Sequence, residues 1–86
     1  MTERQLLDYV RYIIDKANKS PRAVFLNHDS SDVRLVDPSG PRFDRMILDY
    51  PDAFVGIYDH ENDHDQIAKD IKATPAFELT PSRGFI

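Results

Sequence analysis

Three short runs of mainly apolar residues, at 23–26, 53–58 and 76–79, constrain the fold of this chain more than any other feature; the first is unbroken, whereas Gly56 interrupts the second and Glu78 the third. An apolar run of this length is typical of a strand that is covered on both faces, as in a mostly parallel sheet. Segments with helical periodicity lie between the runs. The alternation therefore predicts right-handed crossovers and a central sheet with helices on both faces.

Helical periodicity marks three segments, each with local start and stop signals. Thr2 and Gln5 have the spacing of a capping box, and the first helix should end at residues 18–20, before Pro21. The second helix should begin at Pro41, which suits a first helical turn, and end before Pro51. The third should span residues 63–72. The apolar faces of these helices consist of Leu6, Leu7, Val10, Ile13, Ile14 and Ala17; Phe43, Met46, Ile47 and Tyr50; and Ile67, Ala68 and Ile71.

The remaining segments complete an αβαβαββ order. Residues 27–40 are polar, and Val33, Leu35 and Val36 within them fit either a short strand or part of a helix. A turn at residues 81–84 precedes a return strand at residues 85–86. We therefore predict an α/β fold in one domain, residues 1–86, with a central mixed sheet of about four strands.

Composition restricts both the chemistry and the setting. The chain has no cysteine, which excludes thiol catalysis, thiolate zinc sites and disulfides. Its net charge of −4 argues against a general nucleic-acid binder, which needs a basic surface. No apolar run approaches the roughly 20 residues of a membrane span, and the N-terminus lacks the apolar core of a signal peptide. We therefore expect a cytoplasmic protein without a nucleic-acid or membrane partner.

The stretch D-H-E-N-D-H-D at residues 59–65 holds the densest group of metal-ligating residue types. Asp59, Glu61 and Asp63 stand at the first, third and fifth positions of a calcium-binding loop, but the sharp turn there needs a glycine. His60 and His64 match the H-E-x-x-H spacing of a zinc site, without the apolar helix that such a site requires. The simpler interpretation is an exposed loop in which Asp63 caps the third helix. A divalent-metal site built from the same five residues is the alternative.

Two arginines flank the start of the second helix. Arg42 and Arg45 would favour an anion there, because helix N-termini attract anions. Asp37 and Asp44 dilute this positive charge, so the pattern alone assigns no site.

The run FVGIYDHENDHDQIAKDIKATPAFEL, residues 54–79, resembles the second half of a thioredoxin-fold domain. In that family a buried strand ends in an Asp, here Asp59. An acidic loop follows, then a helix with an Ala-Lys pair, here Ala68 and Lys69. A cis proline comes next, here in Thr74-Pro75. The resemblance covers roughly residues 21–84 and implies a thioredoxin-like domain that lacks the usual C-terminal helix.

The same resemblance carries expectations about function. The family's redox Cys-x-x-Cys would fall near residues 30–33, where the sequence is S-S-D-V, so thiol–disulfide exchange is excluded. Cysteine-free relatives include KaiB-type proteins, whose I-x-A-T-P run is similar to residues 71–75, and such relatives act by binding proteins. We therefore expect a redox-inert, non-catalytic binding module without a cofactor. It would be a small regulator or inhibitor of the kind that a phage or mobile element encodes.

The partner in this interpretation is another protein, or a second copy of the chain. It would contact the groove beside the cis proline, formed by Ser30, Ser31, Asp32, Thr74, Pro75 and Ala76. Two alternatives remain open. The N-terminal domain of glutathione transferases is also similar, and a serine-based version would use Ser30 or Ser31. A divalent-metal-responsive protein would use the stretch at residues 59–65.

Overall fold

The computed structural model describes residues 1–27 and 32–77 of the chain. These residues form three α-helices, one short 3-10 turn and three strands. In chain order they are α1 (Glu3–Lys16), β1 (Arg22–Leu26), β2 (Val33–Val36), α2 (Pro41–Asp49), the 3-10 turn Pro51–Ala53, β3 (Phe54–Tyr58) and α3 (His64–Ala73). The predicted α/β class is confirmed for this part of the chain. None of its helices combines the length and apolarity that crossing a bilayer requires.

Strand β1 lies at the centre of the sheet, and both of its neighbours run antiparallel to it. The strand order is β2-β1-β3, with Val24 opposite Leu35 on one side and Gly56 on the other. The expectation of a mixed sheet of about four strands is therefore corrected. Among the described residues there are three strands, and no two of them pair in parallel.

The apolar run of β1 explains this error. Val24 and Leu26 belong to a core formed with α1 and α3, whereas Ala23 and Phe25 belong to a second core formed with α2. Successive side chains of a strand alternate between faces, so burial on both faces gives an unbroken apolar run whatever the strand direction. The run correctly predicts two-sided burial, but it carries no information about parallel pairing.

The predicted third strand, residues 76–79, is not a strand where the structure describes it. Ala76 lies in a turn that follows α3, and the amide of Phe77 donates to the carbonyl of Thr74 at 2.9 Å. Residues 78–79 and the predicted return strand at 85–86 lie outside the described residues. The segment whose structure the sequence left open, Val33–Val36, is the strand β2.

Two helices cover one side of the sheet, which we call the two-helix face; it presents Val24, Leu26 and Val33. Helix α1 begins with the predicted capping box: the Thr2 hydroxyl accepts from the Gln5 amide at 3.1 Å, and the Gln5 side chain accepts from the Thr2 amide at 2.8 Å. The core here is well buried, and its most buried side chains include Leu6, Val10, Ile13, Ile67 and Ile71. One predicted core residue, Leu7, is instead 56% exposed.

Among the described residues a single helix covers the opposite side, which we call the one-helix face; this side of the sheet presents Ala23, Phe25 and Val36. Rings of Phe25, Phe43 and Phe54 pack together there, with centroids 5.2–6.2 Å apart. Helix α2 has only nine residues and none of them is fully buried. Tyr50, predicted on its apolar side, is 58% exposed. This face is therefore only partly closed.

A close contact joins β3 to α3 on the two-helix face. Gly56 leaves room for the ring of Tyr58, because a Cβ atom at residue 56 would lie 2.6 Å from the Tyr58 hydroxyl oxygen. That hydroxyl donates to Asp70 at 2.7 Å, and the Gln66 side chain donates to the other Asp70 oxygen at 2.8 Å. Burial, followed by the hydrogen bond and the charge of Asp70, raises the pKa of Tyr58.

Candidate functional site

A cleft of about 760 Å³ opens on the one-helix face, between α2 and the end of the sheet where β1 finishes. Its volume lies in the range of small-molecule and peptide pockets. The nine-residue helix α2 packs Phe43, Met46 and Ile47 against the sheet, and its residues from Arg42 to Asp49 form one wall of the cleft. We call five of its apolar lining residues the floor: Phe25, Met46 and Ala53 on the one-helix face, and Leu26 and Ala76, which line the cleft at the end of the sheet and also contact the core of the two-helix face.

Three arginines, Arg34, Arg42 and Arg45, line the cleft, and we call them the arginine rim. All three side chains are exposed. In the part of the chain that the structure describes, none of their guanidinium groups forms a salt bridge or a side-chain hydrogen bond. Asp49, the last residue of α2, and Asp52, in the 3-10 turn, also line the cleft, and we call them its acidic end. A chain of net charge −4 thus gathers three unpaired positive charges at one place.

The local sequence explains how the rim forms. Arg42, Arg45 and Asp49 are spaced three and four residues apart, so they share one side of α2. Phe43 and Met46 lie on the side that packs against the sheet. The charged residues and the apolar residues each recur at helical spacing. A charged stripe therefore lies beside an apolar stripe on the same short helix.

Strand β2 supplies the third arginine of the rim. Arg34 is paired with Phe25 across the β1–β2 ladder. Directly paired residues point to the same face of a sheet, so the Arg34 side chain lies on the same face as Phe25 of the floor. The rim is therefore assembled from two elements that only the fold brings together.

Part of the groove predicted from the thioredoxin resemblance falls at the same end of the sheet. The Ala76 amide donates to the Asp52 carbonyl at 3.1 Å, and both residues line the cleft. The Asp32 carbonyl accepts from the Asn27 amide at 2.8 Å, and Asn27 also lines the cleft. Ala76 thus lines the cleft itself, whereas Asp32 is hydrogen-bonded to a residue that lines it. Ser30 and Ser31 lie outside the described residues.

The other predicted groove residues have structural contacts of their own. Thr74 is buried, 6% exposed, and its hydroxyl donates to the Asp70 carbonyl at 2.9 Å at the end of α3. Pro75 is exposed in the following turn. The Asp32 carboxylate accepts from the Val33 amide at 2.8 Å. Burial, and next the charge and hydrogen bond of Asp32, raises the pKa of Tyr9.

The D-H-E-N-D-H-D stretch forms a hydrogen-bonded loop before α3. The Asn62 side chain accepts from the Asp59 amide at 2.7 Å, and the Asp59 carboxylate accepts from the Glu61 amide at 2.9 Å. Asp63 caps α3 as predicted, although its carboxylate accepts from the Asp65 amide, at 3.3 Å, rather than from residue 66. Two of the loop's carboxylates, those of Asp59 and Asp63, thus accept hydrogen bonds from nearby backbone amides.

The candidate metal ligands in this loop do not converge. Among residues 1–27 and 32–77, no group of three or more His, Asp or Glu side chains is placed to hold a metal ion. His60 and His64 are both exposed. The geometry therefore gives no support to a metal site formed by Asp59, His60, Glu61, Asp63 and His64.

The sequence indicated only part of this cleft. Arg42 and Arg45 stood out as cations near a helix start, but Arg34 did not. The sequence shows only a single arginine between Val33 and Leu35, in a segment that fitted either a strand or a helix, so nothing indicated where its side chain would lie. Only the pairing register with β1 shows that Arg34 and Phe25 share a face.

Fold and cleft together define an α/β module with a charged cleft on one face of its sheet. Comparisons of the chain with models of protein families, with curated proteins and with solved structures found no match in any of the three. The resemblance to thioredoxin-fold domains and to KaiB-type proteins therefore stays a prediction from the sequence.

Proposed function

We propose that this chain is a non-catalytic protein-binding module, a small cytoplasmic regulator or inhibitor, and that it holds its partner in the cleft on the one-helix face. The observation that carries the proposal is the combination of an apolar floor with unpaired arginines at its edge. Binding sites on proteins typically pair such an apolar floor with a few polar groups that fix orientation.

The composition of the cleft supports a protein as the partner. Tyr50 is 58% exposed at the cleft, and Met46 contributes to its floor. Tyrosine, methionine and arginine are enriched where proteins contact one another, and tyrosine and arginine dominate the binding energy of many interfaces. A partner that covered Tyr50 would remove apolar surface from water and gain the corresponding free energy.

The thioredoxin-like arrangement is part of this proposal and rests on the sequence resemblance. It places the partner-binding groove at Ser30, Ser31, Asp32, Thr74, Pro75 and Ala76. Ala76 belongs both to that groove and to the floor of the cleft. The cleft and the predicted groove therefore share Ala76. They differ in whether the partner extends from there toward α2 or toward Pro75.

A matched pair of tyrosine variants tests the proposal. Tyr50→Ala removes an exposed ring from the cleft, whereas Tyr12→Ala removes a ring that is 44% exposed on α1, beneath the side chain of Lys16. Immobilised wild-type chain and both variants are incubated with cell extract, and retained proteins are quantified by mass spectrometry. We expect a partner that is retained by wild type and by Tyr12→Ala, and is strongly depleted with Tyr50→Ala.

A second pair of variants separates the two descriptions of the site. Arg45→Ala alters the side of the cleft formed by α2, and Pro75→Ala alters the groove predicted from the sequence. Loss of the partner with Arg45→Ala alone supports the cleft, and loss with Pro75→Ala alone supports the other groove. A set of retained proteins that none of these changes affects would contradict the proposed function.

A further inference from the structure

The cleft combines an arginine rim, an acidic end and an apolar floor, and this combination indicates what kind of segment fits it. Resting on the proposed function, we infer that the partner inserts an extended acidic peptide segment that carries at least one large apolar side chain. Its carboxylates lie against the arginine rim, Arg34, Arg42 and Arg45, and its apolar side chain lies on the floor.

Charge complementarity is the first argument for an acidic occupant. Arg42 and Arg45 are neighbours on α2 at a spacing where like charges destabilise a helix, and Arg34 adds a third positive charge at the same cleft. Asp49 stands four residues after Arg45, but no salt bridge joins them. Guanidinium groups bind carboxylates through paired, directional hydrogen bonds, so partner carboxylates would satisfy all three.

The floor is the second argument, because a purely polar acidic segment would leave it uncovered. Met46 is half-buried beside Phe25, Leu26, Ala53 and Ala76. Methionine adapts its shape to different apolar partners, which suits a site for a side chain such as Phe, Leu or Met. The cleft of about 760 Å³ exceeds the volume of one side chain, so several residues of a segment fit in it.

The acidic end is the third argument, and it gives the segment a direction. Asp49 and Asp52 lie where α2 ends and the 3-10 turn begins. A segment with carboxylates along its whole length would be repelled there, whereas one whose acidic residues cluster at one end would not. The same two carboxylates oppose a nucleic-acid strand, whose phosphates repeat at every nucleotide.

Peptide selection tests the inference without knowledge of the partner. A displayed library of random 12-residue peptides is selected on the immobilised full chain. Parallel selections use Arg42→Glu/Arg45→Glu, which reverses two charges at the cleft, and Arg4→Glu/Arg11→Glu, which reverses two exposed charges on α1. Circular dichroism and thermal melting confirm that each variant is folded.

The expected selection result is an enrichment of peptides with clustered Asp and Glu beside a Phe, Leu or Met. The α1 variant should enrich the same peptides, and the cleft variant should not. A synthetic peptide of the enriched sequence, measured by fluorescence anisotropy, should bind the cleft variant about tenfold or more weakly. Replacing its acidic residues by lysine should restore binding to that variant alone. Affinity of wild type should also fall as salt rises.

Each other result overturns the inference in a distinguishable way. Enrichment without an acidic bias, lost when the selection is repeated on Tyr50→Ala, contradicts the acidic occupant and leaves the protein-binding function supported. Enrichment equal on wild type and on the cleft variant, or none at all, contradicts the acidic segment. In that case the extract experiment with Tyr50→Ala decides separately on the proposed function. Binding of a single-stranded 12-nucleotide DNA probe as tightly as the peptide would show that the rim selects anions in general.

Discussion

The two faces of the sheet differ in how completely they are covered. On the two-helix face, α1 and α3 close a core in which Ile13, Ile67 and Ile71 are 0% exposed. On the one-helix face, α2 supplies half-buried side chains and leaves a cleft beside them. A small domain buries a limited fraction of its surface, so one well-packed face must provide most of the stability. The other face can then remain open for a partner.

The largest expected effect comes from matched deletions on the two faces. Ile67→Ala removes a side chain from the closed core, and the free energy of unfolding should fall by about 2–5 kcal/mol. Ile47→Ala removes the same atoms from a half-buried position on α2, and the loss should be about 1 kcal/mol. Urea denaturation of both variants measures the difference. Equal losses would show that the two faces are packed alike.

An intermediate effect is expected where β3 meets α3. A methyl group at residue 56 would lie 2.6 Å from the hydroxyl oxygen of Tyr58 and 2.9 Å from its ring carbon Cζ. Gly56→Ala should displace the ring from Asp70 and lower the free energy of unfolding by about 1–3 kcal/mol. The same change in a Tyr58→Phe background should cost less, because the hydroxyl is absent. Additive losses in this double-mutant cycle would rule out the hydroxyl contact as the cause, because the ring carbons are present in both backgrounds.

The smallest expected effect concerns pH. The pKa of Tyr58 is raised in the folded chain, so unfolding releases a proton once the pH exceeds the ordinary tyrosine pKa of about 10. This contribution to stability is fully present below that pH and is lost as the pH rises above it. Between pH 9 and about pH 10.5 the loss should stay below about 1 kcal/mol.

Thermal unfolding of wild type and Tyr58→Phe over this pH range measures the contribution. The decline in stability should be shallower for Tyr58→Phe than for wild type. Parallel pH profiles for the two proteins would show that folding does not raise the pKa of Tyr58.

Local signals in the sequence determine much of the fold. Thr2 and Pro41 mark the starts of α1 and α2, and the predicted third helix, residues 63–72, differs from α3 (His64–Ala73) by one residue at each end. Caps and prolines act on neighbouring residues, which is why such boundaries can be read from the sequence. Whether two strands pair parallel or antiparallel depends on contacts between distant segments. The apolar runs carry no information about it.

The same distinction applies to the cleft. Arg42 and Arg45 are three residues apart, so their proximity follows from helix geometry alone. Arg34 joins them only because β2 pairs with β1 in a register that sets it opposite Phe25. The length of α2 follows from Pro41 and Pro51, but the register that brings Arg34 to the same cleft could not be derived from residue patterns. The sequence therefore indicated only the part of the site that lies on α2.

The most direct test of the cleft as the binding surface is a nuclear magnetic resonance titration. The ¹⁵N-labelled chain is titrated with the purified partner that wild type retains from extract, and the change in each amide shift is recorded. We expect the largest changes at Arg34, along Arg42 to Asp49 of α2 and at Tyr50, Asp52 and Ala53, with small changes along α1. Changes centred on α1 and α3, around Leu7 and Lys69, would contradict the assignment of the one-helix face as the binding surface.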